Sequence, residues 1–380
     1  MPAFITQLSS FLPNEAVTNE RIEDVLGRIH GVPSRTRAII LRNNRIRLRH
    51  YAIDPETGRQ THTNVQLTAE AVKKLAAGGF DLNSLECLAC GTTSPDLMNP
   101  GHANLVHGNL GIPPLETASM QGICLSGMVA LRYALMAVAS GQVRSAVATG
   151  SELASSLIRA GFFNNPSLNP GINLEDKPAL GFDADFLRWM LSDGAGAALV
   201  EARPREGAVN LRFEWLEMLS FANELPICMY IGGRKEADGS VTGWRTLAQE
   251  GSMEGNPFAV RQDVELLNRE IIPTAVNRAL ERVLKKHPMK TEEVDWFVPH
   301  FSSDYFRGRL DEAMQAIGFG IPQERWFTNL YTKGNTGSAS IYIILEELAA
   351  SGRLRSGQKL LCFIPESGRF SIAYMLLSVV

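Results

Sequence analysis

Short runs of apolar residues alternate along the chain with longer stretches in which apolar residues recur every three or four positions. The short runs predict strands buried on both faces, and the longer stretches predict amphipathic helices. The predicted strands are Leu85–Gly91, Leu115–Met120, Arg144–Gly150, Ala195–Val200, Val294–Pro299, Arg325–Leu330, Leu360–Pro365 and Ser371–Val379. The predicted helices are Val65–Ala77, Ala103–Leu110, Leu125–Ser140, Tyr305–Ile317 and Thr336–Ser351. This alternation indicates an α/β fold with crossover connections and mostly parallel sheets covered by helices on both faces.

The second half of the chain repeats part of the first. One predicted helix begins near Cys124 and another near Asn335, and each leads into Ser-Gly-x-(Val/Leu)-Arg-Ser and then a strand. The interval from Cys124 to Gly141 is 17 residues, equal to the interval from Asn335 to Gly352. A Ser-Gly sequence at a single helix end is common. Here, however, the two helices match in length, in the residues that end them and in the strand that follows, which indicates that the chain contains a repeat.

This self-similarity predicts two copies of one α/β unit, residues 1–203 and 204–380. The boundary is expected near residues 203–208, where the sequence Arg-Pro-Arg-Glu-Gly has the composition of a turn. Cys124 and Asn335 are then expected at equivalent strand-to-helix turns of the two halves.

Composition excludes several classes of protein. Of the 380 residues, 45% are hydrophobic and 20% charged, which excludes disordered, collagenous and coiled-coil chains. The 37 Lys and Arg residues nearly balance the 40 Asp and Glu residues, and the net charge of −3 argues against nucleic-acid binding through a basic surface. No apolar run approaches the roughly 20 residues of a membrane span. The first basic residue, Arg21, comes too late for a secretory signal, so we expect a cytoplasmic protein.

Four of the five cysteines fit buried packing positions. Cys87 and Cys90 lie three apart in a predicted strand and therefore point to opposite faces, whereas redox CxxC pairs open a helix. Cys228 and Cys362 stand in apolar surroundings, where cysteine behaves as a small hydrophobic residue. Five cysteines are also too few for a disulfide framework in so long a chain.

Cys124 lies between a predicted strand and a long predicted helix, with Gly122 before it and Gly127 after it. Glycines allow a sharp turn and a close backbone approach. At a helix N-terminus the macrodipole and the free N–H groups favour a thiolate, and the same N–H groups stabilise an oxyanion on an attached acyl group. The position predicts a nucleophile, although a buried structural cysteine also fits such a turn.

A cysteine nucleophile needs partners that accept a proton or polarise a carbonyl. His300 directly follows the predicted strand Val294–Pro299, at the end of the strand where α/β sheets bind ligands. Asn335 stands beside glycines at the start of a predicted helix. Each also has a structural interpretation, His300 as a capping residue and Asn335 as a helix N-cap. The histidines lack the spacing of a zinc pair, so no metal site is predicted.

Four motifs together resemble the ketoacyl-ACP synthase III family of the thiolase superfamily. They are Cys124 at the start of a long helix, the segment LSDGAGAALV, a histidine after an apolar strand and the segment GNTGSAS. In that family the corresponding stretches read roughly CAG, FGDGAGA, HQAN and GNTSAAS. The resemblance covers nearly the whole chain in the right order. It implies a thiolase-like duplicated α-β-α-β-α layered fold of two similar halves, with mixed sheets that contain mostly parallel strands. It also implies a homodimer, acyl-carrier-protein or CoA thioesters as substrates, and no metal or redox cofactor.

The resemblance also implies a catalytic set of Cys124, His300 and Asn335. Cys124 would attack an acyl thioester, and its own N–H would bind the oxyanion together with an N–H from the loop Pro365–Phe370, in which Gly368 is the remaining glycine. A malonyl or ketoacyl thioester would lose CO₂ or a proton, and neutral His300 and Asn335 would hydrogen-bond the enolate. The enolate would then attack the acyl-cysteine and release a β-ketoacyl product.

Further motifs narrow the resemblance. Asn335 favours the class III and type III polyketide branches over the elongating ketosynthases, which use a second histidine, and the absence of a Gly-Phe-Gly-Pro-Gly run favours class III. Two segments depart from the family: Phe-Ser-Ser follows His300, and PESGRFSIAY places Glu366 and Arg369 near the site. The stretch SRTRAIILRNNRIRLRHYAIDPETG resembles the ketosynthases of dialkylresorcinol and aryl-polyene pathways, which join a fatty β-ketoacyl thioester to a second acyl unit and cyclise it. A housekeeping-type starter condensation is the alternative.

An arginine-rich segment contains no carboxylate between Asp24 and Asp54. Within it, Arg45, Arg47 and Arg49 alternate and would share one face of a strand. That face is a candidate for binding an acidic carrier protein or a phosphopantetheine phosphate. A solvated hairpin that balances acids elsewhere is the alternative.

Three other functions fit parts of the pattern. The segment Gly122-Ile-Cys124-Leu-Ser126 is close to the nucleophile elbow of a hydrolase, but that class expects an acid between the nucleophile and a late histidine. Acyl transfer to an oxygen or nitrogen acceptor is a second possibility. A non-catalytic partner subunit is least favoured, because the cysteine, histidine and asparagine are all present.

Overall fold

A computed structural model of the protein describes residues 1–165, 185–253 and 256–380. The strands are β1 (Phe4–Phe11), β2 (Val17–Thr18), β3 (Leu48–Arg49), β4 (Cys87–Thr92), β5 (Glu116–Gln121), β6 (Ser145–Glu152), β7 (Gly194–Glu201), β8 (Leu211–Ser220), β9 (Met229–Tyr230), β10 (Gly233–Lys235), β11 (Val241–Gly243), β12 (Arg261–Gln262), β13 (Trp296–Pro299), β14 (Lys359–Glu366) and β15 (Ser371–Val379). The helices with fully described bounds are α1 (Ile22–Leu26), α2 (Arg37–Asn44), α3 (Asn64–Ala77), α4 (His102–Leu110), α5 (Ser126–Ala139), α6 (Ser155–Ile158), α7 (Ala160–Asn164), α8 (Trp244–Gln249), α9 (Val264–Pro273), α10 (Glu281–Lys286), α11 (Tyr305–Ala316), α12 (Leu330–Lys333) and α13 (Ser340–Ala350). A π-helical segment, Thr274–Leu280, connects α9 to α10. All predicted helices and all predicted strands but one are therefore present.

Nine strands form one sheet in the order β13-β14-β15-β8-β1-β7-β6-β4-β5. The pairs β4–β5, β4–β6 and β13–β14 are parallel, and the other neighbouring pairs of this sheet are antiparallel. The sheet is thus mixed, with more antiparallel pairing than we predicted. The reason is that an apolar run buried on both faces looks the same in sequence whichever way its neighbour runs.

The sheet consists of two parts with corresponding strand orders. The first part runs β5-β4-β6-β7-β1 from its edge inward, and the second part runs β13-β14-β15-β8. In this order β13, β14, β15 and β8 take the places of β4, β6, β7 and β1. The parts join where β1 pairs with β8 at Phe4 and Ile5. The division of the chain into residues 1–203 and 204–380 stays a prediction; its boundary lies in the connection between β7 and β8.

The predicted strand Arg325–Leu330 is wrong. A 3-10 turn ends at Arg325 and α12 begins at Leu330, so helical turns occupy both ends of the predicted strand and the four residues between them form none. What remains is a single parallel bridge between Trp326 and Phe297 of β13. This bridge stands at the place that β5 occupies beside β4 in the first part of the sheet.

Three apolar cores stack the helices and the two parts of the sheet into five layers. Helices α3 and α4 pack on the outer face of the first part, as Val72, Val106 and Val147 illustrate. Helices α5 and α13 lie between the two parts, in a core with residues from both, including Ala146, Met375 and the residues Leu131, Leu345 and Leu360. Helices α9 and α11 cover the outer face of the second part in a third core. The order is α-β-α-β-α, which confirms the predicted layered α/β class.

The two central helices end in the same way. Gly141 and Gly352 follow α5 and α13 with φ of 78° and 68°, a left-handed conformation that favours glycine at a helix C-terminus. The helices meet close to their first turns, because a Cβ atom at Gly127 would overlap the carbonyl oxygen of Ser338. The turns before these helices, which hold Cys124 and Asn335, are thereby brought to the same region.

Within the described parts of the chain, no helix is long and apolar enough to cross a membrane.

Candidate active site

Cys124 lies in the turn between the end of β5 at Gln121 and the start of α5 at Ser126. The residue keeps partial exposure, whereas the flanking helix is largely buried. The hydroxyl of Ser126 donates a hydrogen bond to the carbonyl oxygen of Ile123 at 2.9 Å, which closes the turn. The sulfur is therefore held at the first turn of a central helix, as we predicted from the glycines around it.

Asn335 lies in the turn between α12 and α13 and is buried, with 4% of its surface exposed. A helix and not a strand precedes it, so the expectation that Asn335 stands at a strand-to-helix turn is wrong. Its backbone N–H donates to the carbonyl oxygen of Met190 at 3.0 Å, and its own carbonyl oxygen accepts from the N–H of Ser192 at 2.9 Å. The side-chain oxygen of Asn335 accepts from the N–H of Gly337 at 3.0 Å. This occupies the amide oxygen and leaves the Asn335 Nδ2 group to act as a donor.

His300 follows β13 directly and is buried, with 2% exposure. Its N–H donates to the carbonyl oxygen of Phe363 at 2.8 Å, which ties it to β14. Burial lowers the pKa of the imidazole to about 4, so the ring is neutral near pH 7. A neutral imidazole has one N–H that can donate a hydrogen bond and does not readily transfer its proton to an enolate.

Cys124, His300 and Asn335 line one cavity. Most of its wall is apolar and comes from β9, β12, α9, α11 and the segments beside them; it includes Leu157, Phe186, Leu187, Met190, Leu191, Met229, Ile231, Val260, Leu267, Ile271, Ile272, Phe301, Phe306, Leu310 and Phe363. Among the described residues of the wall there is no lysine or arginine. The arrangement suits a long apolar group placed next to a sulfur and two neutral hydrogen-bonding side chains.

A carboxylate occupies the backbone donors on either side of the sulfur. Glu366 Oε2 accepts from the N–H of Ile123 at 3.3 Å and from the N–H of Leu125 at 3.1 Å. Burial of the Cys124 thiol, with the charges of Glu366 and Glu152 beside it, raises its pKa. This direction is opposite to the thiolate that we expected at a helix N-terminus: burial is the largest cause, and Glu366 occupies two of the nearby N–H groups, whereas the N–H of Cys124 itself still lowers the pKa.

Glu152 is a second carboxylate near the sulfur; it is buried and lies in the cavity wall. It accepts from the hydroxyl of Thr93 at 2.7 Å, the hydroxyl of Ser94 at 3.1 Å and the N–H of Ser338 at 3.1 Å. We did not predict a role for Glu152. The available signal was the repeat itself, since both repeated strands end in a glutamate beside a serine, Ser151-Glu152 and Glu366-Ser367.

Gly368 lies beside the cysteine turn. A Cβ atom there would come within 2.9 Å of the side chain of Ile123. Its carbonyl oxygen accepts from the N–H groups of Cys228 and Met229 at 2.9 and 3.3 Å. A contribution of this loop to an oxyanion site stays a prediction. Arg369 points elsewhere, because its Nε donates to the carbonyl oxygen of Leu225 at 3.0 Å.

The three alternating arginines do not share a face. Arg49 is fully buried, and its guanidinium donates to Asn19 Oδ1 at 2.6 Å and to the carbonyl oxygen of Trp189 at 2.5 Å. Arg45 and Arg47 are exposed; Arg45 ends α2 in a left-handed conformation and pairs with Asp304 at 3.2 Å. The prediction is wrong for Arg49, because the strand there is only two residues long and the chain turns its guanidinium inward.

The other cysteines lie where we expected them. Cys87 belongs to the central core and Cys90 to the outer core, so the two do point to opposite faces of β4. All five cysteines are free. In residues 1–165, 185–253 and 256–380, no group of histidine, cysteine and acidic side chains has the arrangement of a metal site.

Residues 284–368 match the family model described as "3-Oxoacyl-[acyl-carrier-protein (ACP)] synthase III C terminal". This segment contains His300, Asn335, Glu366 and Gly368. It begins within α10 and ends just after β14, so it includes β13 and β14 but not β8, β15 or the cysteine turn.

Solved structures of three proteins are similar over the whole chain. AbyA1, a tetronic acid condensing enzyme, is 18% identical with a TM-score of 0.76, and 99% of each chain is covered. The 3-oxoacyl-(acyl carrier protein) synthase III FabH of Xanthomonas oryzae pv. oryzae is 20% identical with a TM-score of 0.74, over 100% of this chain and 99% of that one. A cysteine-to-serine variant of OleA of Xanthomonas campestris, with bound lauric acid and lauroyl-CoA, is 18% identical with a TM-score of 0.69, over the same shares. These likenesses establish a thiolase-like fold.

Proposed function

We propose that the protein is an acyltransferase that joins two acyl thioesters by a Claisen-type condensation through an acyl-cysteine. The observation that carries this proposal is that Cys124, His300 and Asn335 line one apolar cavity although they are far apart in sequence. The match of residues 284–368 to the synthase III C-terminal family supports it. The reaction needs no cofactor beyond its thioester substrates.

In the first step the sulfur of Cys124 attacks the carbonyl carbon of an acyl thioester. The thiol proton leaves, the acyl group is transferred to sulfur, and the pantetheine thiol of the donor is released with a proton. The apolar wall formed by residues such as Phe186, Ile272 and Leu310 suits a fatty acyl chain. OleA, whose solved structure holds lauroyl-CoA, gives a precedent for this substrate class on the same fold.

In the second step an acceptor thioester forms an enolate by losing CO₂ or an α-proton; an α-proton passes to solvent, and the Cys124 thiolate freed by the condensation takes up a proton in return. Neutral His300 and the Nδ2 group of Asn335 donate hydrogen bonds to the enolate oxygen. The enolate carbon then attacks the acyl-cysteine, which frees the Cys124 sulfur and gives a β-ketoacyl product. The neutral state of His300 supports this role: the ring can donate a hydrogen bond to the enolate oxygen, and no buried imidazolium has to form first.

We further propose that the acceptor is a fatty β-ketoacyl thioester and that the product is of the dialkylresorcinol type. The support is the resemblance of the arginine-rich segment to that group of ketosynthases, together with the apolar cavity. Simple starter condensation with a malonyl thioester is the alternative. The two differ in products: only the starter reaction releases CO₂ in proportion to a linear β-ketoacyl thioester.

We propose an acyl carrier protein or CoA as the carrier of the substrates, and exposed Arg45 and Arg47 as contacts for its phosphate or acidic surface. Arg45 pairs with Asp304, which belongs to the segment between the cavity-lining residues Phe301 and Phe306. We also propose a cytoplasmic homodimer. The edge strand β5 supports a dimer, since no further strand of the described residues pairs with its outer side, and an edge of this kind can pair with a second chain.

Mass spectrometry of the intact protein tests the proposal. After incubation with lauroyl-CoA, wild type is expected to gain the mass of one lauroyl group, and Cys124→Ala is expected to gain none. Addition of a malonyl or β-ketoacyl thioester should then discharge the adduct into a product with a new carbon–carbon bond. Discharge to free lauric acid alone would identify a thioester hydrolase, and absence of any adduct across a panel of acyl thioesters would refute the proposal.

A further inference from the structure

Two glutamates occupy corresponding positions in the two parts of the sheet; Glu152 is buried and Glu366 is partly buried. Glu152 is the last residue of β6, and Glu366 is the last residue of β14. Strands β6 and β14 take the same place in the strand order of their parts, each parallel to its neighbour β4 or β13. Burial raises the pKa of both carboxyl groups. Neither glutamate forms an ion pair with a basic side chain of the described residues.

Each glutamate binds the site turn of the opposite part. Glu366 comes from the second part and accepts from the N–H groups of Ile123 and Leu125, on either side of Cys124. Glu152 comes from the first part and accepts from the N–H of Ser338, three residues after Asn335. The two contacts thus form a reciprocal exchange between the two parts of the sheet.

The contacts of Glu152 extend further around the Asn335 turn. Its carboxylate also binds the hydroxyl groups of Thr93 and Ser94, so it links the end of β4 to the turn before α13. A Cβ atom at Gly337 would lie 2.8 Å from Glu152 Cγ, and Gly337 has φ of 52°. The turn is therefore packed directly on the glutamate side chain, with glycine required at the contact.

We propose that Glu152 and Glu366 are a reciprocal pair of positioning residues, each of which serves one half-reaction. Glu366 holds the turn of Cys124 for acylation, and Glu152 holds the turn of Asn335 for enolate formation. A carboxylate suits both places, because the N–H groups at the start of a helix are unpaired donors with partial positive charge. The assignment to half-reactions rests on the proposed function.

Paired substitutions separate position from charge. Glutamine and alanine both remove the negative charge, but glutamine keeps an acceptor oxygen of nearly the same reach, so the rate ratio between the two variants reports the hydrogen bonds. Glu201 is a matched control: it is the last residue of β7, binds Thr6 and Arg205, and does not line the cavity. Thermal unfolding of every variant checks that it folds.

The two half-reactions are measured separately on the full-length protein. Acylation is the rate of adduct formation with lauroyl-CoA alone, and condensation is the rate of product formation from the isolated acyl-enzyme after addition of the acceptor. Glu366→Ala is expected to acylate at least tenfold more slowly than Glu366→Gln, with condensation rates within twofold. Glu152→Ala is expected to condense at least tenfold more slowly than Glu152→Gln, with acylation rates within twofold. The pair at Glu201 should differ by less than twofold in both.

Ratios near one at both positions, or equal loss of both half-reactions, would overturn the inference while leaving the proposed function intact. A wild type that forms no adduct would instead refute the proposed function. If the alanine variants do not fold, amide hydrogen exchange of the wild type provides the test. The N–H groups of Ile123, Leu125 and Ser338 are expected to exchange slowly, and fast exchange at these amides would contradict the contacts.

Discussion

The hydroxyl of Tyr342 donates a hydrogen bond to the carbonyl oxygen of Gly127 at 2.7 Å, so α13 is joined to α5 close to the start of both helices. The same approach leaves no room for a side chain at Gly127, whose Cβ would also lie 3.1 Å from the Tyr342 ring. This contact sets the separation of the turns that hold Cys124 and Asn335.

Gly127→Ala is accordingly expected to destabilise the protein by about 2–3 kcal/mol, because the added methyl group meets backbone that cannot move independently. Gly108→Ala in α4 is the matched control, since a Cβ there meets nothing within 4 Å. That change should be neutral or stabilise the helix by up to about 1 kcal/mol. Denaturant unfolding of both variants checks the difference, and equal stabilities would contradict the tight approach of the helices.

Cys124 is expected to react with iodoacetamide more slowly than glutathione at pH 7, because burial and two carboxylates raise the pKa of its thiol. The rate should rise with pH above the ordinary range of a thiol. Glu366→Gln removes one of the negative charges, which lowers the pKa, and should speed alkylation several-fold at pH 7. Intact-mass kinetics with Glu201→Gln as control measure this. An unchanged pH profile in Glu366→Gln would rule out the electrostatic contact.

Condensation is expected to continue at pH values where an ordinary histidine is protonated. The pKa of His300 is lowered from 6.5 to about 4, so its ring stays neutral as the pH falls through 6 and becomes charged only near pH 4. The rate of product formation from the acyl-enzyme should therefore show no protonation step near pH 6.5, down to the pH at which the fold is lost. His300→Ala should retain acylation and lose most of the condensation. A loss of rate centred at pH 6.5 in wild type would mean that His300 is accessible to water.

Arg47→Glu is expected to raise KM for a carrier-bound acyl substrate more than KM for a short pantetheine thioester, because Arg47 is exposed on the segment proposed for carrier docking. Arg144→Glu is the control, since Arg144 lies just before β6, at the opposite end of that strand from Glu152. The effect of Arg47→Glu should also weaken at high salt. Equal increases of KM for the two substrates would remove the docking role.

Arg49→Ala is expected to destabilise the fold by about 2–4 kcal/mol with little change in KM of the residual active protein. Its guanidinium is buried and binds Asn19 and the carbonyl oxygen of Trp189, and its loss leaves a cavity and weakened polar contacts. Thermal or denaturant unfolding measures the change. A selective increase in KM for carrier-bound substrate, without destabilisation, would instead show that Arg49 contributes to carrier docking.

Local patterns in the sequence determined the elements of this fold and the types of residue at its site. Apolar periodicity predicts the main strands and helices, because burial of one face or both faces imposes a repeat on neighbouring residues. The turn residues around Cys124 and Asn335 and the matched helix lengths likewise depend only on nearby sequence. These patterns do not determine the direction of a strand, and they wrongly predicted a strand at Arg325–Leu330, because a short apolar run is compatible with several pairings.

Tertiary structure alone decided the charges and contacts at the site. The pKa of Cys124 is raised first by burial and then by the charge of Glu366, which lies 241 residues after Leu125 in the chain and reaches the turn through β14. The burial of Arg49 depends in the same way on residues distant in the chain, because its guanidinium donates hydrogen bonds to Asn19 and to the carbonyl oxygen of Trp189. Burial and electrostatic interaction act through space, so residues that are distant along the chain determine whether a thiol is ionised or an arginine faces water.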